Sequence, residues 1–192
     1  MTSILKADTI QDTDGNNIIN ESGNTITIGA SGDTTNIIGT LQNNGAAVGE
    51  TNTPAFMVRL SSNFTCNDQQ TTKVEFDTED FDTDSAFASN KFTVPSGEGG
   101  KYFISAQLAI SASGSVVHRS DVYIYVNGSK VATSTGFDSN NTQFVVFANI
   151  ALSLDLSAGD YVEVYNYNDV SSGTPVARAS DKQSYFTGFK IT

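Results

Sequence analysis

The feature that most constrains this chain is a run from Thr142 to Ser157 in which apolar and polar side chains alternate. The even positions of the run hold Phe144, Val146, Ala148, Ile150, Leu152, Leu154 and Leu156. A period of two places alternate side chains on opposite faces of a β-strand, so one face of this strand is buried. The run is longer than an ordinary strand, and we expect it to bend or to continue as two strands.

The same alternation recurs along the C-terminal part of the chain. It marks three further segments, Lys101–Ser111, Asp121–Val126 and Tyr161–Asn168. Asn127-Gly128 follows the second segment and is a strong signal for a β-hairpin. The apolar segments Phe56–Leu60 and Phe186–Ile191 lie at the two ends and suit a jelly roll whose terminal strands pair centrally. About eight to ten strands with frequent turns predict an all-β antiparallel sandwich or jelly roll.

A sharp change in composition divides the chain near residue 55. All 12 Phe and all 7 Tyr lie at or after Phe56, and residues 1–55 are built mainly from Ile, Thr, Asn, Gly and Asp. Short β-branched runs such as Thr25–Ile28 alternate there with turn pairs such as Asn44-Gly45, which predicts short strands joined by turns. We therefore divide the chain into a β-rich stem or attachment segment, residues 1–50, and a head domain, residues 51–192.

The N-terminal segment is too short to bury its own isoleucines, because isolated hairpins are only marginally stable in water. Two interpretations remain open: a disordered polar tail, or a stem in which several copies interleave apolar side chains along a common axis. The density of isoleucine favours the stem. Its predicted core consists of Ile10, Ile18, Ile26, Ile28, Ile37 and Leu41.

Composition excludes several functional classes. The chain has 192 residues, with 10 Lys and Arg against 21 Asp and Glu, which gives a formal net charge of −11. That acidity works against binding to nucleic acid or to anionic lipid. A single cysteine, Cys66, and a single histidine, His118, exclude an internal disulfide and a zinc site built on such ligands. There is neither an apolar run long enough for a spanning helix nor the apolar core of a secretory signal, so we expect synthesis in a cytoplasm and no membrane insertion.

The outward positions of the predicted head strands carry many aromatic side chains. They are Phe103, Tyr123, Tyr125, Phe147, Tyr165 and Tyr167. A monomer rarely leaves so much apolar surface in water, so we expect this set to pack against other copies of the chain. The alternative is that some of these side chains belong to the core between the two sheets.

Candidate chemistry is sparse. Glu79, Asp80, Asp82 and Asp84 are candidate oxygen ligands for Ca²⁺, but their spacing lacks the Asp-x-Asp-x-Asp-Gly loop. A solvated charged loop is the favoured interpretation, and no metal or cofactor is predicted. Neither a Gly-x-Ser-x-Gly motif nor an assignable pair of carboxylates is recognisable, so we predict no catalytic residue and no enzymatic activity.

Two polar loops, residues 135–142 and 169–180, are rich in Gly, Ser and Asn. Loops carried on a rigid β scaffold commonly serve recognition. The residues predicted to contact a glycan or a protein surface there are Phe137, Asp138, Asn140, Asn141 and Arg178.

Four short motifs follow one another along the head. They are Lys91-Phe92-Thr93-Val94-Pro95 with Tyr102-Phe103, then Asn127-Gly128, then Leu154-x-Leu156-x-x-Gly159-Asp160-x-Val162, then Phe186-Thr187-Gly188-Phe189. In this order they resemble the globular-head domain of complement's first component, a relative of tumour necrosis factor. The resemblance covers residues 54–192 and implies a ten-strand, trimeric jelly roll. The chain departs from that family at Asn90, where the family has Gly, in a longer turn after Pro95, and at Ile104, where Phe is expected.

The N-terminal segment carries a second resemblance. Its motifs are Ile4-Leu5-Lys6-Ala7-Asp8-Thr9-Ile10-Gln11, then Gly-Asn-Thr-Ile-Thr-Ile-Gly, then Leu41-Gln42-Asn43-Asn44-Gly45. They are similar to the N-termini of fibre proteins from tailed bacteriophages. Together the two resemblances imply a homotrimeric virion structural protein, made in the host cytoplasm. Its stem would attach to other virion proteins of the tail or capsid, and its head would project towards a host surface.

Three other functions remain open at this point. A capsid decoration or head-fibre protein would have the same parts and no receptor role. A secreted trimeric signalling or lectin-like module is disfavoured because no signal peptide, membrane anchor or collagen-like repeat is recognisable. A carbohydrate-active enzyme is disfavoured because the chain is small and carries no recognisable catalytic constellation.

Overall fold

A computed structural model describes residues 9–11, 13, 17–22, 25–28, 32, 34–38, 41–43, 46–47, 52–138 and 144–191. The chain divides into two compact units, Met1–Glu50 and Thr51–Thr192, which we call the N-terminal unit and the head. Across the described residues, no helix has the length and apolar character needed to cross a membrane.

The described secondary structure is β-strand with one short 3₁₀ turn at Ser180–Lys182. In chain order the strands are β1 (Thr9–Gln11), β2 (Asn17–Ser22), β3 (Thr25–Ile28), β4 (Gln42–Asn43), β5 (Ala46–Ala47), β6 (Ala55–Arg59), β7 (Phe64–Thr65), β8 (Thr72–Lys73), β9 (Thr78–Asp82), β10 (Phe87–Ala88), β11 (Lys91–Thr93), β12 (Gly100–Ala112), β13 (Val117–Val126), β14 (Ser129–Phe137), β15 (Val145–Leu156), β16 (Tyr161–Val170), β17 (Pro175–Ala177) and β18 (Tyr185–Lys190). The predicted all-β class is confirmed.

The head is a sandwich of two antiparallel sheets. Sheet I contains β6, β7, β9, β12, β15, β17 and β18, and sheet II contains β8, β10, β11, β13, β14 and β16. The first and last long strands of the head, β6 and β18, are neighbours in sheet I, with Val58 opposite Phe186. This is the central pairing of terminal strands that the sequence predicts, so the jelly-roll prediction is confirmed.

Alternation along the strands builds the core between the sheets. Tyr102, Ile104 and Leu108 of β12 face inward and are fully buried, and Val122 and Ile124 of β13 meet them from sheet II. An aromatic cluster fills one region of this core: Phe56 stacks on Phe92 with ring centroids 4.5 Å apart and meets Phe186 edge-on at 4.8 Å. Burying large side chains on one face of each strand is the main source of stability for such a sandwich.

Strand β15 runs without a break from Val145 to Leu156. The alternative that this segment continues as two strands is therefore wrong. The reason is its partner: β12 is 13 residues long and pairs with β15 continuously, from Gly100 opposite Leu156 to Ser111 opposite Val145. A matched long partner keeps a strand hydrogen-bonded beyond the ordinary length.

The predicted hairpin at Asn127-Gly128 is confirmed. Both residues have positive φ, 51° at Asn127 and 76° at Gly128, as two-residue hairpin loops of the primed type require. The side chain of Asn127 also donates through Nδ2 to Asp160 Oδ1 at 2.7 Å, and its Oδ1 accepts from the Tyr161 backbone N–H at 3.0 Å. The turn is thereby tied to the start of β16.

In the N-terminal unit, β1, β2 and β3 form a three-stranded antiparallel sheet, and β4 and β5 pair as a separate two-stranded antiparallel sheet. Ile10 lies opposite Ile19 in the β1–β2 pair, and Ile19 lies opposite Ile28 in the β2–β3 pair. Residues directly opposite each other share a face of the sheet, so these three isoleucines form a row across it.

Candidate functional site

The outer face of sheet I is the first candidate site. We define it by the side chains of β6, β12, β15 and β18 that point away from the core. In register, Ser153, Phe103, Phe189 and Ala55 form one row across the four strands, and Ala151, Ser105, Thr187 and Met57 form the next. Neither row carries a charged residue. The charged residues of this face lie beyond these rows, at Arg59, Lys101 and Asp155.

Aromatic side chains project from this outer face. Phe103 and Phe189 pack against each other with ring centroids 5.4 Å apart, and Phe147 on β15 leaves 46% of its surface exposed. Fully buried centres of protein interfaces are depleted of charge and enriched in aromatic residues, and the outer face of sheet I has this composition.

The structure divides the six aromatics predicted for trimer packing between two surfaces. Phe103 and Phe147 lie on the outer face of sheet I. Tyr123, Tyr125, Tyr165 and Tyr167 lie together on the outer face of sheet II, where Tyr123 is opposite Tyr165. The period of two predicts that a side chain points outward, but it does not show which sheet a strand joins, because strand pairing is set by contacts distant in sequence.

A buried carboxylate organises part of the outer face of sheet II. Asp121 accepts two hydrogen bonds from the Arg119 guanidinium, at 2.9 and 2.6 Å, and one from the Tyr123 hydroxyl at 2.7 Å. Burial alone would raise the pKa of Asp121, but these donors outweigh it and the pKa lies below its usual value. Burial and the bond to Asp121 raise the pKa of Tyr123, so the pair stays an anion and a neutral phenol.

The isoleucine row of the N-terminal unit is another candidate surface. Within the single chain Ile10 is 39% exposed, Ile19 is 37% exposed and Ile28 is 56% exposed. The predicted stem core contains Ile10 and Ile28 but not Ile19, because Ile18-Ile19 is a doublet and alternation alone does not choose between its members. Ile26, Ile37 and Leu41, also predicted for that core, are exposed too. Ile18 lies in β2, and its side chain falls outside the described residues.

The acidic residues proposed as calcium ligands make contacts within the protein. Asp80 pairs with Arg59 at 2.9 Å and with Lys182 at 2.7 Å. The hydrogen bond from Lys182, and to a smaller extent that from Arg59, lowers the pKa of Asp80. Asp82 accepts the backbone N–H groups of residues 86 and 87 at 3.0 and 2.8 Å. Asp84 accepts from the hydroxyl of residue 83 at 2.6 Å, and Glu79 is exposed on β9. The described residues contain no group of three or more His, Cys, Asp or Glu side chains placed to hold a metal ion.

Among the residues predicted for the two ligand loops, Arg178 lines a surface cavity of about 470 Å³ at the end of β12. The cavity is also lined by Phe144, Ser113, Thr174 and Asn63. Phe137 ends β14 with 69% of its surface exposed, and Asp138 is buried. Neither lines that cavity. Asn140 and Asn141 lie outside the described residues.

Cys66 is fully buried. The Asn166 amide donates to its Sγ at 2.9 Å, and burial raises the pKa of the thiol to about 11. A neutral, inaccessible thiol is a poor nucleophile, so Cys66 packs as a small apolar side chain.

The fold and these surfaces define a jelly-roll module. Solved structures similar to this chain are the globular domain of the zebrafish complement 1qA protein (20% identity, TM-score 0.52, covering 72% of this chain and 98% of that one), Eiger TNF from S. frugiperda (12% identity, TM-score 0.52, covering 72% and 92%) and murine APRIL (11% identity, TM-score 0.53, covering 71% and 98%). The head thus has the jelly-roll fold of the complement and tumour-necrosis-factor domains, as the resemblance predicts. No protein-family model and no curated protein sequence matches the chain.

Proposed function

We propose that this chain is a non-enzymatic structural protein of a bacteriophage virion: a homotrimer whose N-terminal unit attaches to the particle and whose head projects from it. The observation that carries the proposal is the outer face of sheet I, which has an uncharged centre and projecting aromatic side chains. The resemblance of the head to complement and tumour-necrosis-factor domains implies trimers, and the shared fold supports self-association of this chain.

Symmetric contact between copies would cover the apolar side chains on the outer face of sheet I. In a closed homo-oligomer the same patches are used on every copy, so each copy contributes Phe103, Phe147 and Phe189 to the contact. Burying an aromatic side chain contributes about 1.5–3 kcal/mol, and three copies multiply that gain. The charged residues Arg59, Lys101 and Asp155 would then lie at the rim, where water keeps them solvated.

We infer that the N-terminal unit is also stabilised by contact with other copies of the chain. Its three-stranded sheet presents Ile10, Ile19 and Ile28 on one face, and a sheet of that size buries too little to be stable alone. Interleaving with other copies would cover the row. The similarity of this segment to phage fibre N-termini supports a role in attachment to other virion proteins of the tail or capsid.

The carboxylates of the head support a structural role over a catalytic one. Asp80, Asp121 and Glu163 form ion pairs, and Asp82 and Asp160 accept backbone N–H groups at turns. Glycoside hydrolysis needs two carboxyl groups facing a shared cleft. These side chains instead stabilise the strands and turns that carry them.

Labelling of particles tests the proposal. An antibody against the head should bind purified particles of the virus that encodes this chain, and a variant lacking residues 1–50 should fold but fail to join the particle. Labelling at the tail or at the capsid would distinguish a tail fibre from a capsid decoration. Particles without label, with the chain found secreted, would contradict the virion role.

A further inference from the structure

The outer face of sheet II gathers most of the tyrosine in the protein. Five of the 7 Tyr residues project from it: Tyr123, Tyr125, Tyr161, Tyr165 and Tyr167. Alternation along β16 and the register of β13 against β16 place them side by side, and the rings of Tyr125 and Tyr165 lie with centroids 4.3 Å apart. Four of these residues are half-buried, so ring surface stays open to solvent on a rigid sheet.

Lysine and arginine side chains lie over three of these tyrosine rings. The three cation–ring pairs found among the described residues are all on this face: Lys91 over Tyr161 at 4.5 Å, Lys130 over Tyr123 at 4.4 Å and Arg119 over Tyr167 at 5.3 Å. Such contacts hold a cation over an aromatic face without neutralising its charge.

The charges on this face are only partly balanced. Lys73 pairs with Glu163 at 2.6 Å, and Arg119 pairs with Asp121. A third carboxylate, Asp169, lies opposite Arg119 and accepts a hydrogen bond from the Gln69 side-chain amide at 3.3 Å. Within the described part of the chain, Lys91 and Lys130 have no carboxylate within ion-pair distance. The strands β11, β16, β13 and β14 are successive neighbours, so these two lysines lie three strand spacings apart, about 14 Å. Four cations (Lys73, Lys91, Arg119 and Lys130) thus meet three carboxylates (Asp121, Glu163 and Asp169) on this face, an excess of one positive charge on a chain whose net charge is −11.

We propose that the outer face of sheet II binds an acidic polysaccharide, one whose sugar rings carry carboxylate groups. The half-buried tyrosine rings offer their open ring surface to the C–H faces of sugars, and the ammonium groups of Lys91 and Lys130 offer partners for carboxylates. Charges elsewhere on the protein are screened beyond a Debye length of about 8 Å at physiological salt, so the local cations dominate. Nucleic acid is disfavoured, because its affinity depends on neutralising many phosphates.

The proposal deepens the display role of the head and rests on it. If copies associate through the outer face of sheet I, the opposite side of the sandwich is left facing outward. A flat surface about 14 Å across suits a segment of an extended polymer better than a small molecule, which prefers a concave pocket.

Affinity electrophoresis of the full-length chain tests this inference, with polygalacturonate as the acidic polysaccharide, dextran as a neutral one and polyglutamate as an acidic polymer without sugar rings. We expect polygalacturonate to retard the protein at concentrations at least tenfold below those of the other two polymers. Lys91→Gln combined with Lys130→Gln should weaken binding at least tenfold. Lys182→Gln, at an exposed position of the 3₁₀ turn, should leave it unchanged.

Tyr125→Ala should also weaken binding at least tenfold, and its melting temperature shows whether the fold is intact. The lysine variants keep the test decisive if that variant unfolds, because Lys130 is exposed and Lys91 is half-exposed. No retardation by polygalacturonate, or equal retardation by polyglutamate, would overturn the proposal; the second result would make the face a site for acidic protein. The mass of the same sample, measured in parallel, separates this failure from failure of the trimeric role.

Discussion

Phe103 and Phe189 pack their rings together across the β12–β18 strand pair, on the outer face of sheet I. Both side chains are only half-buried in the single chain. Buried aromatic anchors surrounded by neutral contacts carry most of the binding energy in many interfaces. The trimer proposal places this ring pair within the contact between copies.

Phe103→Glu should therefore convert the trimer to single copies, because a carboxylate buried without a partner costs far more than a contact returns. Light scattering after gel filtration measures the change, and circular dichroism checks that the strands persist. Val131→Glu, an exposed position on β14 of sheet II, is the matched control and should leave the mass unchanged. A Phe103→Glu protein that keeps the wild-type trimer mass would remove this face from the contact.

Gly188 occupies a position in β18 with no room for a side chain. A Cβ there would stand 2.7 Å from Ile104 Cδ1 and 2.9 Å from both the Phe103 carbonyl oxygen and Phe56 Cε1. Gly188→Ala should lower the free energy of unfolding by about 1–3 kcal/mol, because the core must shift to admit the methyl group. Urea unfolding measures the change, with Ser129→Ala, at an exposed position of β14, as control. Equal stability of the two variants would contradict this close packing.

Two buried serines differ in their hydrogen bonding. Ser184 Oγ accepts the Ala109 backbone N–H at 3.2 Å, whereas Ser120 Oγ has no partner among the described residues. Ser184→Ala should lower stability by about 1–3 kcal/mol, because it leaves a buried N–H unsatisfied, while Ser120→Ala should be neutral or raise stability by up to about 1 kcal/mol. Denaturant unfolding of both variants ranks them, and the reverse order would contradict the assignment.

Asp121 makes stability depend on pH. Its pKa is lowered in the folded protein, so its contribution is complete above the ordinary carboxyl pKa and is lost as the pH falls through the folded value. Asp121→Asn should cost about 1–2 kcal/mol at neutral pH, a modest figure because Arg119 is partly solvated. The gap between wild type and variant should narrow below about pH 4. Thermal unfolding from pH 7 to pH 3 measures this, and a gap that stays constant would contradict the ion pair.

Local patterns account for much of the fold. Alternation predicts β12, β13, β15 and β16, and Asn127-Gly128 predicts the turn between β13 and β14, because side-chain period and turn geometry are properties of short segments. The length of β15, in contrast, could not be predicted from a local pattern. It depends on pairing with β12, some forty residues away in the chain, which no short segment encodes.

The residues that make up each candidate surface likewise depend on strand pairing, which short sequence patterns do not determine. The six outward aromatics predicted for one contact lie on two sheets: Phe103 and Phe147 are on strands of sheet I, and the four tyrosines are on strands of sheet II. Ile19 completes the row between Ile10 and Ile28 only once the register of three strands is known. Asp80 and Lys182 form an ion pair although they lie about a hundred residues apart, and the spacing of residues in the sequence could not predict that contact.

The mass of the purified full-length chain in solution tests the central claim, that several copies share their apolar surfaces. Light scattering should give about 61 kDa, three times the 20.4 kDa of one chain, and the value should hold on dilution to micromolar concentrations. A well-folded species of single-chain mass under the same conditions would contradict the trimer, and with it the proposed role of both the N-terminal unit and the outer face of sheet I.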